Sequence, residues 1–407
     1  MKLPKMPWLA LVPVLALAQK APSDHWVATW ATAQLLAHAS APRPNEGTGF
    51  NNQTVRMVVH TSIGGERLRI KLENAFGSTP LVIGAAHVAL RAKESASVEG
   101  SDRAVSFSGQ PSVTLQPGML ILSDPVDLHL APLSDLLVSL YFPNPTGPPT
   151  MHAVGLHNTY VIKEGDSTSA PSLTNPTVMR SLYYLAAVDV AAPPNTVAVV
   201  AFGDSITDGA VSTNETNHSW PALLAARLAG SKKTANVAVV NLGISGNRVL
   251  HDGSGISAVA RFDRDVLSQS GARWLMLLEG INDIGHAFTA PGETLAADDL
   301  IAAYRQIVAL AHTHGIRVIG CTLTPYERAG YYREGGEAVR EAVNEWIRSG
   351  GAFDAVVDFD KATRDSADPK RFRAEFDPGD HLHPNDAGYQ AMADAVDLTI
   401  FTRKGSK

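Results

Sequence analysis

Two rhythms of apolar and polar residues divide the chain. From residue 24 to about 192 the apolar positions come in short runs or strict alternations, and none keeps the three-and-four spacing of a helix over a useful length. Arg67-Leu68-Arg69-Ile70-Lys71-Leu72 alternates basic and apolar residues, which turns one face of a strand to water and the other to a core. A partner strand over 55–62 precedes it across Gly64-Gly65. Further strands are expected at 105–108, 119–122, 126–130, 136–142 and 159–162, separated by turns that contain Pro and Gly. Regular short strands of this kind predict an all-β sandwich or jelly-roll domain over 24–192.

After Ala191-Ala192-Pro193-Pro194-Asn195, which reads as a linker, the pattern changes. Continuous apolar runs at 199–202, 237–242, 274–278, 316–322 and 355–359 suit strands covered on both faces. Between them lie amphipathic stretches: 220–228 with Pro221 near its start, about 298–314 with Gly315 as its stop, and 334–348. Alternation of strand and helix predicts an α/β domain over 196–407, a parallel sheet flanked by helices in a flavodoxin-like three-layer arrangement.

The loops after these strands hold the residues with chemical potential. The first run stops at Gly203, so Ser205 sits at the carboxyl end of a strand, where open α/β sheets bind ligands. A serine needs a base, a group that orients the base, and donors for an oxyanion. Asp380-His381-Leu382-His383-Pro384-Asn385 offers the first two: in a helical turn residues three apart share a face, so Asp380 can reach the ring of His383. Asn385 is a candidate cap for the helix that follows. His381 and Asp377 are the rivals for the base and its orienter. Asp204 is expected to brace its turn, and Asp386 to be a first-turn helix charge.

Gly203-Asp204-Ser205, Gly246 in Asn241-Leu242-Gly243-Ile244-Ser245-Gly246-Asn247, Asn282 in Gly280-Ile281-Asn282-Asp283, and Asp380-x-x-His383 resemble, in order, the four blocks of the SGNH (GDSL-type) esterases and lipases. The resemblance covers about 196–400. The Gly-x-Ser-x-Gly elbow of α/β-hydrolases is absent, since Thr207 stands where its second glycine would be. The resemblance implies a serine esterase with Ser205 as nucleophile, His383 as base and Asp380 as its orienter. It also implies an oxyanion hole made by the Ser205 and Gly246 N–H groups and the Asn282 amide.

Composition narrows the setting. Net charge is −6 with both signs interspersed, which excludes the basic stripe of a nucleic-acid binder. Residues 1–18 carry Lys2 and Lys5, a short apolar run and Ala16-Leu17-Ala18, the pattern of a secretory signal peptide. That run is too short to cross a bilayer, so no stable membrane insertion is expected. Cys321 is the only cysteine, which rules out an intrachain disulfide, and it reads as a small buried hydrophobe. Metal-ligand spacing and phosphate-binding glycine loops are missing, so no metal or cofactor is expected. Trp26, Trp30, Tyr183 and Tyr184 are expected to serve burial rather than a sugar platform, and His60, His87, His129, His152 and His157 to be structural. A secreted esterase with an added β-domain suggests an acetylated polysaccharide as substrate, with the carbohydrate acetylesterases among the relatives this implies. A lipase or lysophospholipase is the alternative, and a carbohydrate-binding or adhesion protein with an inactive hydrolase domain is a third reading.

Overall fold

The computed structural model describes residues 24–36 and 49–402; the signal-like segment 1–18 lies outside them. The strand Val197–Gly203 forms where the apolar run predicts it, and its residues from Ala198 to Phe202 are fully buried. It pairs in parallel with Val237–Gly243 on one side and Ala272–Leu278 on the other. Arg317–Cys321 and Ala355–Val357 extend the sheet beyond Ala272–Leu278. Numbered along the chain, the five strands lie in the order two, one, three, four, five. The chain therefore leaves the first strand in one direction and later returns to its other side, which makes a switch point beside the first strand. Ser205 follows the first strand, Gly246 the second and Asn282 the third, so the loops that bear them meet at that end of the sheet.

The helices Trp220–Ala229, Ala297–Thr313, Glu334–Ser349 and Asp386–Ala395 supply the flanking layers. Trp220–Ala229 has Pro221 in its first turn, where a missing N–H costs nothing. Asn385 caps Asp386–Ala395, its side-chain oxygen accepting from the Gly388 N–H at 3.1 Å.

The region from 24 to 192 is β-rich and its two large sheets are antiparallel. One orders His25–Ala31, Leu185–Ala192, Gly65–Glu73 and Leu120–Leu122, with Val126–Leu130 also paired to Gly65–Glu73. The other is built around Gln53–His60 and Asp135–Phe142, which pair from Gln53↔Phe142 to His60↔Asp135. Tyr183 and Tyr184 are buried in this region's core. Arg69 stacks over Trp26 at 4.5 Å from the ring centre, and Trp30 packs against the core.

Two local expectations differ from what is found, and one strand was not foreseen. The stretch 105–108 holds no strand: Ser108 and Gly109 both adopt left-handed backbone (φ 52° and 76°) and reverse the chain, leaving a single bridge between Phe107 and Gln110. The strand Ala85–Lys93, which pairs with Asp135–Phe142, is hidden in sequence by its alanines and polar residues. The expected linker begins too early, because Ala191 and Ala192 still pair with Trp26 and His25. Only at Pro193 is the ladder N–H lost.

Candidate active site

Ser205 opens a four-residue helix, Ser205–Asp208, directly after the first parallel strand. Gly203 allows that close approach: a Cβ there would lie 2.1 Å from the Leu278 carbonyl oxygen and 2.4 Å from Thr207 Oγ1. Asp204 is the cap of this short helix, and its Oδ1 accepts from the Ile206 N–H at 2.9 Å. It braces the turn as expected. Burial pushes its carboxyl up to about 7, with the acidic neighbours Asp283 and Asp208 adding to the effect and the Ile206 N–H and Arg261 opposing it.

His383 comes from the opposite end of the chain, and its Nε2 lies 2.8 Å from Ser205 Oγ. Its Nδ1 lies 2.7 Å from Asp380 Oδ2. The carboxylate keeps the ring proton on Nδ1, so Nε2 presents a lone pair to the serine hydroxyl. The segment is not the helical turn that the spacing suggests. It is a turn in which Asp380 Oδ1 accepts from the backbone N–H groups of Leu382 and His383, both at 3.0 Å. Burial raises the pKa of Asp380, but those N–H groups and the His383 ring outweigh it and hold the carboxyl below the usual aspartate value.

His381 is left out of this constellation. Its ring turns to Asp377 at 2.5 Å, and its backbone is left-handed at φ 60°. Asp386 is a first-turn charge as expected, and it also holds the Thr213 N–H at 2.8 Å and the His218 ring at 2.9 Å. Cys321 is buried, and burial pushes its thiol up, away from the reactive thiolate form.

Asn282 lies in the first turn of the helix Ile281–Ala287, at the end of the third strand. Its Nδ2 donates to the Asn247 carbonyl at 2.9 Å, and its Oδ1 accepts from the Tyr331 hydroxyl at 3.2 Å. The orientation of the amide is thereby set, with nitrogen toward the Gly246 loop. In that loop Gly246 has φ 80°, and a Cβ there would meet Ser254 Oγ at 2.7 Å. The Ile244 N–H donates to the Gly203 carbonyl at 2.9 Å, so the loop is tied to the end of the strand that precedes Ser205. Asp283 holds its other end, accepting from the N–H groups of Val249 (2.7 Å) and Leu250 (3.0 Å).

Sequence reasoning missed several residues that fix these loops. Arg261 is fully buried and donates to the carbonyls of Leu242 (2.8 Å) and Gly203 (2.9 Å) and to Asn247 Oδ1 (2.8 Å). It joins the ends of two strands to the Gly246 loop, and nothing in its local sequence marks it. Asp283 was within reach, since it stands inside a quoted motif, and Asp208 lies only three residues after Ser205. Tyr331 lies in a loop without periodicity and carries no signal of its own.

A serine hydroxyl bonded to an oriented imidazole can attack a carbonyl carbon. Residues 199–396 match the family model of the GDSL-like lipases and acylhydrolases. No curated protein sequence matches the chain. Solved structures that resemble it include a lipolytic protein of the G-D-S-L family from Desulfitobacterium hafniense, 22% identical, which covers 49% of this chain and 97% of its own (TM-score 0.37). An acetylxylan esterase from Geobacillus stearothermophilus is 21% identical over 51% of this chain and 95% of its own (TM-score 0.39). A GDSL-like lipase from Bacteroides thetaiotaomicron is 20% identical over 50% and 87% (TM-score 0.37).

Proposed function

With residues 199–396 making this chain a carboxylic ester hydrolase of the GDSL-like lipase/acylhydrolase family, we propose that Ser205, His383 and Asp380 carry out the hydrolysis through an acyl-enzyme. Ser205 Oγ attacks the ester carbonyl carbon while His383 Nε2 takes its proton. The N–H groups of Ser205 and Gly246 and the Asn282 amide hold the tetrahedral oxyanion. Collapse breaks the bond to the alcohol, which leaves with the proton from His383, and the acyl group stays on Ser205. Water, losing its proton to the same imidazole, then releases the acid and restores the serine. Asp380 stays ionised throughout and steadies the imidazolium.

The observation that supports this most is the His383 ring bridging Ser205 Oγ at 2.8 Å and Asp380 Oδ2 at 2.7 Å. Turnover of 4-nitrophenyl acetate tests it. Ser205→Ala should lose at least about 10³-fold in kcat, and an alanine variant that keeps most of the rate would refute the assignment.

The finer reading is a secreted enzyme that removes small acyl groups, acetate first, from a polysaccharide. The signal-like segment 1–18 and the attached β region support it. In the same reading 24–192 is a sandwich or jelly-roll domain and 196–407 a hydrolase domain of flavodoxin-like layout; the strand order two, one, three, four, five supports the latter. A rate profile over acetyl to palmitoyl esters, with acetate release from acetylated xylan, separates this substrate class from the long acyl chains of a lipase.

A further inference from the structure

The β region reaches into the loops that bear the proposed chemistry. His152 ends the short strand Thr150–His152 and is buried, and both of its ring nitrogens face acceptors. Nδ1 lies 2.8 Å from the Ala33 carbonyl oxygen and Nε2 lies 3.0 Å from Asp208 Oδ1. A carbonyl and a carboxylate only accept, so each ring nitrogen carries a hydrogen and the ring is an imidazolium. Burial works against that charge, but Asp208 and the carbonyls of Ala33 and Val154 outweigh it and hold the pKa above the ordinary histidine value.

The second oxygen of Asp208 is also committed. Oδ2 accepts from the Ser245 N–H at 2.9 Å and from Ser245 Oγ at 2.6 Å. Ser245 immediately precedes Gly246, and Asp208 closes the helix that Ser205 opens. One buried carboxylate thus ties the nucleophile's helix to the oxyanion loop, and its countercharge comes from the β region, 56 residues earlier in the chain. His60 and His157 line the same cavity as His152 and Asp208 but have partners of their own, Asp135 and Asn217, each at 2.7 Å.

We propose that His152 is a positioning residue of the esterase: through Asp208 and Ser245 it holds the Gly246 N–H where negative charge develops on the substrate carbonyl. The inference rests on the esterase reading, with Ser205 as nucleophile and Gly246 as a donor. Two physical effects support the role. An oxyanion donor works only when it is aimed at the oxyanion before reaction. A carboxylate buried beside the nucleophile would also oppose a growing negative charge unless a cation neutralised it, and His152 is that cation.

Steady-state kinetics on the full chain with 4-nitrophenyl acetate, from pH 5 to 9 and with Tm measured alongside, test the proposal. His152→Gln keeps a donor toward Asp208 and removes the charge. It should lower kcat about tenfold to 100-fold with KM within about twofold. The wild type should show an alkaline fall in kcat as the imidazolium loses its proton, and the variant should lack it. Ser245→Ala cuts one bond of the chain and should lower kcat in the same way. The double variant should be no slower than the worse single variant, because both substitutions break one chain. A folded His152→Gln with wild-type kcat and the same alkaline fall overturns the proposal. If His152→Gln does not fold, Ser245→Ala decides, and wild-type kcat there overturns it. Failure of the esterase reading is seen separately, as activity retained by Ser205→Ala.

Discussion

At the scale of single residues, two histidines two positions apart end in different surroundings because of one carboxylate each. Asp380 collects two backbone N–H groups and the His383 ring, so that ring faces Ser205. Asp377 collects the Gly379 and His381 N–H groups and the His381 ring, and turns it away. This difference can be measured. His383→Ala should lose at least about 10³-fold in kcat on an acetyl ester, whereas His381→Asn, a residue that tolerates left-handed backbone, should stay within about threefold of wild type. A reversed ranking would move the base to His381. Spacing and the following Pro-Asn pointed to His383 from the sequence. The turn that sets its ring could not be read there, because an aspartate collecting backbone N–H groups and one on a helical face share the same i to i+3 separation.

At the scale of elements, the loop between the Ser205–Asp208 helix and the Trp220–Ala229 helix holds backbone in an unfavourable region. Val211, Glu215 and Asn217 have φ of 71°, 66° and 58°, and the branched Cβ of Val211 makes its conformation the most costly. Bonds from two sides hold the loop. Asp386 and Tyr389, in the helix after His383, reach the Thr213 N–H and the Ala210 carbonyl. From the β region, Arg91 and the Asn158 N–H each bond Glu215 at 2.5 Å, and His157 bonds Asn217 at 2.7 Å. Burial raises the pKa of Glu215, but His157, the Asn158 N–H and Arg91 outweigh it and bring the carboxyl to about 2, from an ordinary 4.5. A depressed carboxylate adds stability that is present above its unfolded pKa and lost as pH falls through its folded pKa. Glu215→Gln should therefore lower Tm relative to wild type at pH 7, and the gap should close as pH falls from about 4.5 to about 2. Tm measured across that range checks it, and a gap independent of pH would dismiss the ionic clamp.

At the scale of the whole molecule, the β region and the parallel sheet contribute to one continuous hydrophobic cluster. The seam between them is also bonded: the Ala28 N–H donates to the Ser270 carbonyl at 2.9 Å, the Val239 N–H to Ser62 Oγ at 3.1 Å, and Lys71 Nζ to the Ser268 carbonyl at 2.8 Å. A shared core couples the stability of both parts. Thermal unfolding followed by far-UV circular dichroism and by tryptophan fluorescence should give one coincident transition, whereas two separated transitions would mean independent domains.

The amino-acid order by itself determined what depends on near neighbours. Apolar runs of strand length, the glycine between strand and serine, the Asn385 cap and the Asp380–His383 separation are all properties of a few consecutive residues, where period and turn chemistry act. Only the tertiary structure decided which distant groups share a low-dielectric interior. Arg261 bonded to Asn247 and the Leu242 carbonyl, Tyr331 on the Asn282 amide, and His152 paired with Asp208 across the seam leave no local trace. A buried charge or amide is satisfied by whichever element folds against it, and that choice belongs to strand order and packing rather than to spacing along the chain.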